Sequence, residues 1–283
     1  MTVTSYFLPA SMPDALALLD AHGPDLLVMA GGTVAMPLIN EGISLPRLVM
    51  GLRHAGLDGI ERVGDELHIG ATATLTSLLE QRESILLRSA AARTGSWSIR
   101  NMGTVGGNLF TPPPGGDIAT ALLALDARVV VRSARGSRTV PLGAFQTGFM
   151  TVDLRPDELV TSIVVPLDTG PVTFLKVGRK HANTPAVVSI AIHLALDAGT
   201  VTAARIALGA VGPHPLRAPR AEAAITGARL EAPTIDAAAA AAAADSNPFD
   251  DAVASAWYRR RMVEVHVRRA LTELAARTTG RDE

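Results

Sequence analysis

Two paired glycines carry the clearest chemical signal in the chain. They lie in Ala30-Gly31-Gly32-Thr33 and Thr104-Val105-Gly106-Gly107-Asn108, each between a strand-like run and a polar or helix-forming stretch. Glycine permits positive φ and carries no Cβ, so consecutive glycines can turn several backbone N–H groups onto one anion. Two such turns, far apart in sequence, can close on one long phosphate-bearing ligand. The first follows Leu26-Leu27-Val28-Met29, an apolar run of strand length, and Thr33 is placed to cap a short helix through Met36, Leu38 and Ile39. The N-terminus of that helix would add its dipole to a phosphate site. Neither segment is a Walker A loop, because no Gly-Lys-Ser/Thr follows, and neither reads G-x-G-x-x-G. Taken alone, each is equally a tight turn in a helix–strand connection.

Other chemistries find little support. The chain has no cysteine, so it offers no disulfide, no thiolate nucleophile and no ligands for an iron–sulfur cluster. Its seven histidines (His22, His54, His68, His181, His193, His214 and His266) show no H-x-H or H-x-x-x-H spacing, so no metal site is expected. No G-x-S-x-G elbow or nucleophile–base pair is present, and no residue is assigned a catalytic role. The 283 residues are 48% hydrophobic and 19% charged, with a net charge of -1, which gives no footing for nucleic acid. No apolar run approaches the ~20 residues that span a bilayer, and Met1-Thr2-Val3-Thr4-Ser5-Tyr6 does not open a signal sequence. The expectation is a globular cytoplasmic protein.

The elements that would position the glycines divide into three lobes. Lobe 1, residues 1–55, opens with a strand at Tyr6-Phe7-Leu8 and a helix from Met12, where Ser11 and Asp14 have capping-box spacing and Pro13 sits in the first turn. It runs through the first glycine pair to a strand at Leu48-Val49. Lobe 2, residues 56–170, begins with a hairpin over Ile60 to Ile69 turning at Gly64-Asp65. Helices over Leu75–Gln81 and Ile85–Gly95 follow, then the second glycine pair, then a helix from Ile118 to Leu125 with Asp117 at its N-cap. Strands Arg128–Ser133 and Leu159–Pro166 complete it. Lobe 3, residues 171–283, starts at Phe174-Leu175-Lys176-Val177-Gly178 and pairs Ala186–Leu196 with Val201–Gly209 across an Asp197-Ala198-Gly199-Thr200 turn. After a proline-rich break the rest reads as helices, including the alanine run Ala237–Ala244. The last helix presents Met262, Val263, Val267, Ala270, Leu271 and Leu274 on one face, with Arg259–Arg261, Arg268 and Arg269 as a solvated face or a subunit contact. Short strands and helices without regular βα alternation argue for an α+β fold.

In this order, Ala30-Gly31-Gly32-Thr33, then Ser98-Ile99-Arg100-Asn101-Met102-Gly103-Thr104-Val105-Gly106-Gly107-Asn108-Leu109, then Asp117 ahead of Ala121–Ala127, resemble the FAD-binding subunit of molybdenum hydroxylases. That family includes the medium chain of carbon monoxide dehydrogenase and the flavin domain of xanthine dehydrogenase. The likeness continues through Pro156–Ile163, Phe174–Lys180, Val187-Val188-Ser189 and Ser255-Ala256-Trp257-Tyr258-Arg259-Arg260, nearly the whole chain. It implies a two-lobed FAD-binding domain of the PCMH/VAO type, followed by a C-terminal lobe of antiparallel strands and helices. By position, Met29, Ala30, Gly31, Gly32, Thr33 and Val34, with Thr104, Gly106, Gly107 and Asn108, would bind the FAD pyrophosphate, Ala30–Val34 and Thr104–Asn108 through backbone N–H groups and Thr33, Thr104 and Asn108 also through side-chain donors. Asp117 would accept from ribityl or ribose hydroxyls, Val160 would lie beside the adenine, and Lys176 would approach the isoalloxazine. Read from its strand alone, Lys176 is an exposed edge lysine. The chain departs from the family at Phe110-Thr111-Pro112-Pro113-Pro114-Gly115-Gly116, where three prolines remove backbone donors.

The implied activity is electron transfer. A molybdopterin-binding large subunit oxidises substrate, a 2Fe-2S small subunit relays electrons, and this chain passes them through FAD to NAD+, O2 or another acceptor, in a hetero-oligomer built as a dimer of heterotrimers. Two alternatives stay open at this stage: a stand-alone FAD-dependent reductase or oxidase on the same scaffold, and a binding or assembly protein without the cofactor.

Overall fold

The computed structural model describes residues 3–180 and 183–279, so His181 lies outside the described residues. Strands Ser5–Phe7, Leu26–Met29 and Leu48–Gly51 form a parallel sheet with the third strand in the middle. Parallel strands need a crossover, and helix Met12–His22 carries the chain from the first strand to the second, on the opposite edge of the sheet. Its first turn is closed as the sequence predicts, with Ser11 Oγ accepting from Asp14 N–H and Pro13 just inside the helix. Ala15, Leu16 and Leu19 of this helix bury against Leu26 and Met50 of the sheet.

The second sheet is antiparallel throughout, in the order Ile60–Val63, Glu66–Gly70, Leu159–Pro166, Arg128–Ser133, Gly136–Pro141. Gly64, at φ +62°, makes the predicted hairpin turn. Strand Gly136–Pro141 was not expected, because only Val140 along it is buried and its polar residues read as loop. Helices Ile85–Arg93 and Asp117–Ala124 bury Leu86, Leu87, Ala90, Ile118 and Leu122 in the core that includes Ile69 and Ile163 of this sheet. Helix Asp117–Ala124 is buried at every residue, because it also packs against three strands of the third sheet. There Thr120 and Ser189 share a hydroxyl hydrogen bond of 3.2 Å.

That third sheet is the antiparallel series Val172–Gly178, Ala186–Asp197, Thr200–Gly209, Leu216–Arg217. The predicted turn is present, with Ala198 and Gly199 both at positive φ. Helices Pro219–Ile225, Ala232–Asp245 and Ala256–Thr279 bury their apolar faces with this sheet in one core. The alanine run is ordered helix, with Ala238, Ala239 and Ala242 fully buried. Val263, Val267, Ala270, Leu271 and Leu274 are buried as the periodicity requires. One parallel sheet, two large antiparallel sheets and a small antiparallel hairpin of strands Gln146–Gly148 and Thr151–Val152, with helices between and over the sheets, make the fold α+β.

The arginines of the last helix divide in two. Arg260, Arg261 and Arg269 are exposed, but Arg259 is 0% exposed, which corrects the solvated-face assignment. Its guanidinium donates to the carbonyls of Ala186, Val187 and Ala210 and makes two bonds, 2.7 and 2.8 Å, to the Asp251 carboxylate. It also lies 5.1 Å over the Phe249 ring. Only Arg has a fork of donors able to hold three main-chain carbonyls and a carboxylate together. Arg259→Met should therefore cost about 3–5 kcal/mol in urea unfolding, while Arg260→Ala should stay within about 0.5 kcal/mol of the parent.

His193, on the central strand of the third sheet, is buried, and its Nε2 has no partner among the described residues. Burial first, and the nearby Arg205 charge second, hold this imidazole below its ordinary 6.5, outweighing Asp168 and Asp126. A histidine kept neutral by the fold contributes stability that is complete above pH 6.5 and is lost as pH falls through the lower folded value. Thermal melts should therefore drop on acidification below pH 6.5, and His193→Gln should flatten that dependence.

Candidate functional site

A cavity of about 750 Å³ is lined by both glycine segments, a size suited to a cofactor. Every site residue named from sequence lines it: Met29, Ala30, Gly31, Gly32, Thr33, Val34, Thr104, Gly106, Gly107, Asn108, Asp117, Val160 and Lys176. The two segments meet backbone to backbone. A Cβ on Gly31 would lie 1.8 Å from the Met102 carbonyl oxygen, so only glycine allows this approach. Gly32 is required for a different reason, its φ of +70°, and a Cβ there would meet Met29 Sδ and Met36 Cγ at 3.3 Å.

The N–H groups of Gly31, Gly32, Thr33 and Val34 donate to no acceptor among the described residues, and neither does the Thr33 hydroxyl. Four such donors in one turn form a cradle for an anion. Thr33 does not cap the following helix, contrary to expectation. The helix begins at Ala35, its N-cap is Val34, and Val34 already has αR backbone, whereas a side-chain cap needs an extended residue at that position.

The second segment works differently. It is a helical turn, Val105–Asn108, capped by Thr104, whose Oγ1 accepts from Gly107 N–H at 3.1 Å. Val105 and Gly106 donate to the carbonyls of Ala73 and Ala71, both at 2.9 Å, and Asn108 donates to Thr104 O at 3.0 Å. All four N–H groups of residues 105–108 are thus committed within the protein. Glycine at 106 serves close packing, since a Cβ would lie 2.7 Å from Ala71 O. The free main-chain donors belong to the first segment, and the second forms a wall beside them.

Asp117 is the first residue of its helix rather than the N-cap. Gly116 occupies the cap position at φ +82° and has no side chain to close it. Asn108 performs that task from across the 109–116 loop, its Oδ1 accepting from Ile118 N–H at 3.1 Å and Ala119 N–H at 3.2 Å. Asp117 itself forms a buried ion pair with Lys176, 2.5 Å from Oδ2 to Nζ, with side chains 6% and 8% exposed. Lys176 is therefore no exposed edge lysine. It also donates to Arg93 O at 3.4 Å. Burial is the largest influence on the Asp117 carboxyl and raises its pKa, with the Lys176 cation pulling the other way. Its second oxygen, Oδ1, is buried without a partner among the described residues. A group donating hydroxyls would satisfy it.

Several lining residues had no signal in sequence. Thr94 and Gly95 read as the end of helix Ile85–Gly95, but the helix stops at Arg93 and both residues line the cavity beyond it. Thr184 and Pro185 gave no cue, whereas Gly148, at the turn between strands Gln146–Gly148 and Thr151–Val152, could have pointed to Met150, which has φ +56°. The 110–116 loop lines the cavity with its three prolines, and the Pro113–Pro114 bond is cis.

Four unspent N–H groups suit a diphosphate, and the orphaned Asp117 oxygen suits a polyhydroxyl chain. The comparisons agree with that chemistry. Residues 2–168 match the FAD binding domain in molybdopterin dehydrogenase, and residues 173–274 match the CO dehydrogenase flavoprotein C-terminal domain. The glyceraldehyde dehydrogenase medium chain of Sulfolobus acidocaldarius is 30% identical over 276 residues, 96% of this chain and 98% of that one. The xanthine dehydrogenase FAD-binding subunit of Escherichia coli O157:H7 is 30% identical over 287 residues, covering 98% of both. A chain of the carbon monoxide dehydrogenase structure from Hydrogenophaga pseudoflava superposes with a TM-score of 0.93 at 31% identity, covering 98% of both chains. The chain belongs to the FAD-binding flavoprotein subunits of the molybdenum hydroxylase family of oxidoreductases.

Proposed function

We propose that this chain carries electrons from a partner iron–sulfur subunit through FAD to an external acceptor such as NAD+ or O2. The observation that carries the proposal is the cavity in which four free N–H groups, an unpartnered carboxylate oxygen and one buried ammonium line the same space. Gly31 to Val34 would bind the diphosphate, aided by the Thr33 hydroxyl. Asp117 Oδ1 would accept from a ribityl or ribose hydroxyl, the Val160 backbone would lie beside the adenine, and Lys176 would approach the isoalloxazine. Bound there, FAD supplies two-electron acceptance and release.

Lys176 is one of only two lysines in the chain; the other 24 of its 26 basic residues are arginine. A compact ammonium that can reach both Asp117 and Arg93 O favours extra negative charge on a neighbouring ring. In this reading residues 1–55 and 56–170 hold the cofactor between them, and 171–283 contributes Lys176. The absence of cysteine puts the clusters on another polypeptide. The partners would be a molybdopterin-binding large subunit and a 2Fe-2S small subunit, in a dimer of heterotrimers in the cytoplasm. Among the described residues no helix is long and apolar enough to cross a membrane.

The test is reconstitution. The purified chain should bind FAD one to one and should need a reduced iron–sulfur partner for rapid flavin reduction. Steady NAD(P)H turnover by the isolated chain would replace this reading with a stand-alone reductase, and failure to take up FAD would end both. Gly31→Ala should abolish FAD uptake, since its methyl group would overlap the Met102 carbonyl. Lys176→Met should retain FAD but lower its midpoint potential by about 30 mV or more, the equivalent of a tenfold change in the two-electron equilibrium. An unchanged potential would remove Lys176 from its role.

A further inference from the structure

The roles of Asn108 and Asp117 raise a question of chemistry. Helix N-caps take Asn and Asp about equally well, and a carboxylate has the added attraction of the helix dipole. Here the cap is the neutral one. Asn108 is 9% exposed, lines the cavity, and spends Oδ1 on two N–H groups in the first turn of helix Asp117–Ala124. Its Nδ2 donates to no acceptor among the described residues. The same turn already holds one buried carboxylate, Asp117, and that charge is matched by one cation, Lys176.

We propose that Asn108 is a positioning and specificity residue. Its carbonyl oxygen fixes the first turn that presents Asp117 to the cavity, and its amide, in place of a carboxylate, adds no unpaired negative charge beside Asp117, so that an anionic diphosphate can enter. This rests on the FAD reading above and deepens it. The geometry requires a remote cap because Gly116, at φ +82°, turns the chain into the helix without offering a side chain. The 109–116 loop then closes between Asn108 and the helix it caps, tied by Thr111 N–H to Asn108 O at 3.2 Å and by Gln146 Nε2 to Leu109 O at 2.9 Å. Asn108 therefore sets the loop and the carboxylate together. The titratable and charged groups that line the same cavity are Asp117, Glu158 and Lys176. Glu158 is already held in its charged form by hydrogen bonds from Arg138.

The experiment compares FAD dissociation constants, by flavin fluorescence, for the full chain, Asn108→Asp and Asn108→Ala, with thermal melts of each apo protein. Asn108→Asp keeps an acceptor for Ile118 and Ala119, so its circular dichroism should match the parent. Its FAD affinity at pH 7.5 should fall by about tenfold or more through like-charge repulsion. That loss should exceed the loss in Asn108→Ala, which lacks the cap and should melt lower and bind FAD more weakly than the parent but brings no charge. If Asn108→Asp binds FAD as tightly as Asn108→Ala or the parent at pH 7.5, or if Asn108→Ala binds as the parent does, the proposal is overturned while the FAD reading stands. If the parent chain binds no FAD, it is the FAD reading that fails.

Discussion

The site depends on one close approach of two main chains. Gly31 lies so near the Met102 carbonyl that a methyl group could not be placed between them. That contact brings a turn at the end of the parallel sheet against a segment that is hydrogen-bonded to Ala71 and Ala73, at the start of the next layer. Beside that contact, the N–H groups of Gly31–Val34 donate to no acceptor among the described residues. Four successive main-chain donors without a partner in the protein, all on the wall of one cavity, mark a place where a ligand completes the structure.

Around this contact the other elements divide the work. The second glycine segment spends its N–H groups on Thr104, Ala71 and Ala73 and so becomes a rigid wall. Helix Asp117–Ala124 lies between the second and third sheets, and its first residue joins them through the Asp117–Lys176 pair. A buried ion pair is weak evidence for stability, since desolvation opposes much of the attraction. Its value here lies in position: it neutralises a carboxylate whose other oxygen faces no partner, and it holds a cation on the cavity wall. Arg259 performs a separate service, tying strand Ala186–Asp197 to Ala210 and Asp251, just beyond the Thr184-Pro185 stretch that lines the cavity.

Much of this was legible in the amino-acid order, and the exceptions share a cause. Strands Leu26–Met29, Arg128–Ser133 and Ala186–Asp197, the Gly64 turn and the Ser11 cap follow local rules of apolar run, turn residue and side-chain cap. All thirteen cavity residues named from motif order line one cavity, although their individual roles were only partly foreseen. The errors arose where a partner lay far along the chain. Asp117 looks like an N-cap locally, but Asn108 reaches across a loop to take that role. Gly106 and Gly107 read as an open anion loop, but Ala71 and Ala73 had already claimed the donors nearby. Arg259 sits among exposed arginines in sequence, and only the fold turns it inward. Edge strand Gly136–Pro141 was missed because its polar residues follow no buried-strand pattern.

The most direct test of the central claim is a crystal structure of the chain with FAD bound. The account predicts the diphosphate within hydrogen-bond distance of the Gly31–Val34 N–H groups and a ribityl or ribose hydroxyl on Asp117 Oδ1, with residues 105–108 keeping their internal bonds. A diphosphate held instead by the N–H groups of 105–108, or a nucleotide outside the cavity shared by the two glycine segments, would contradict it.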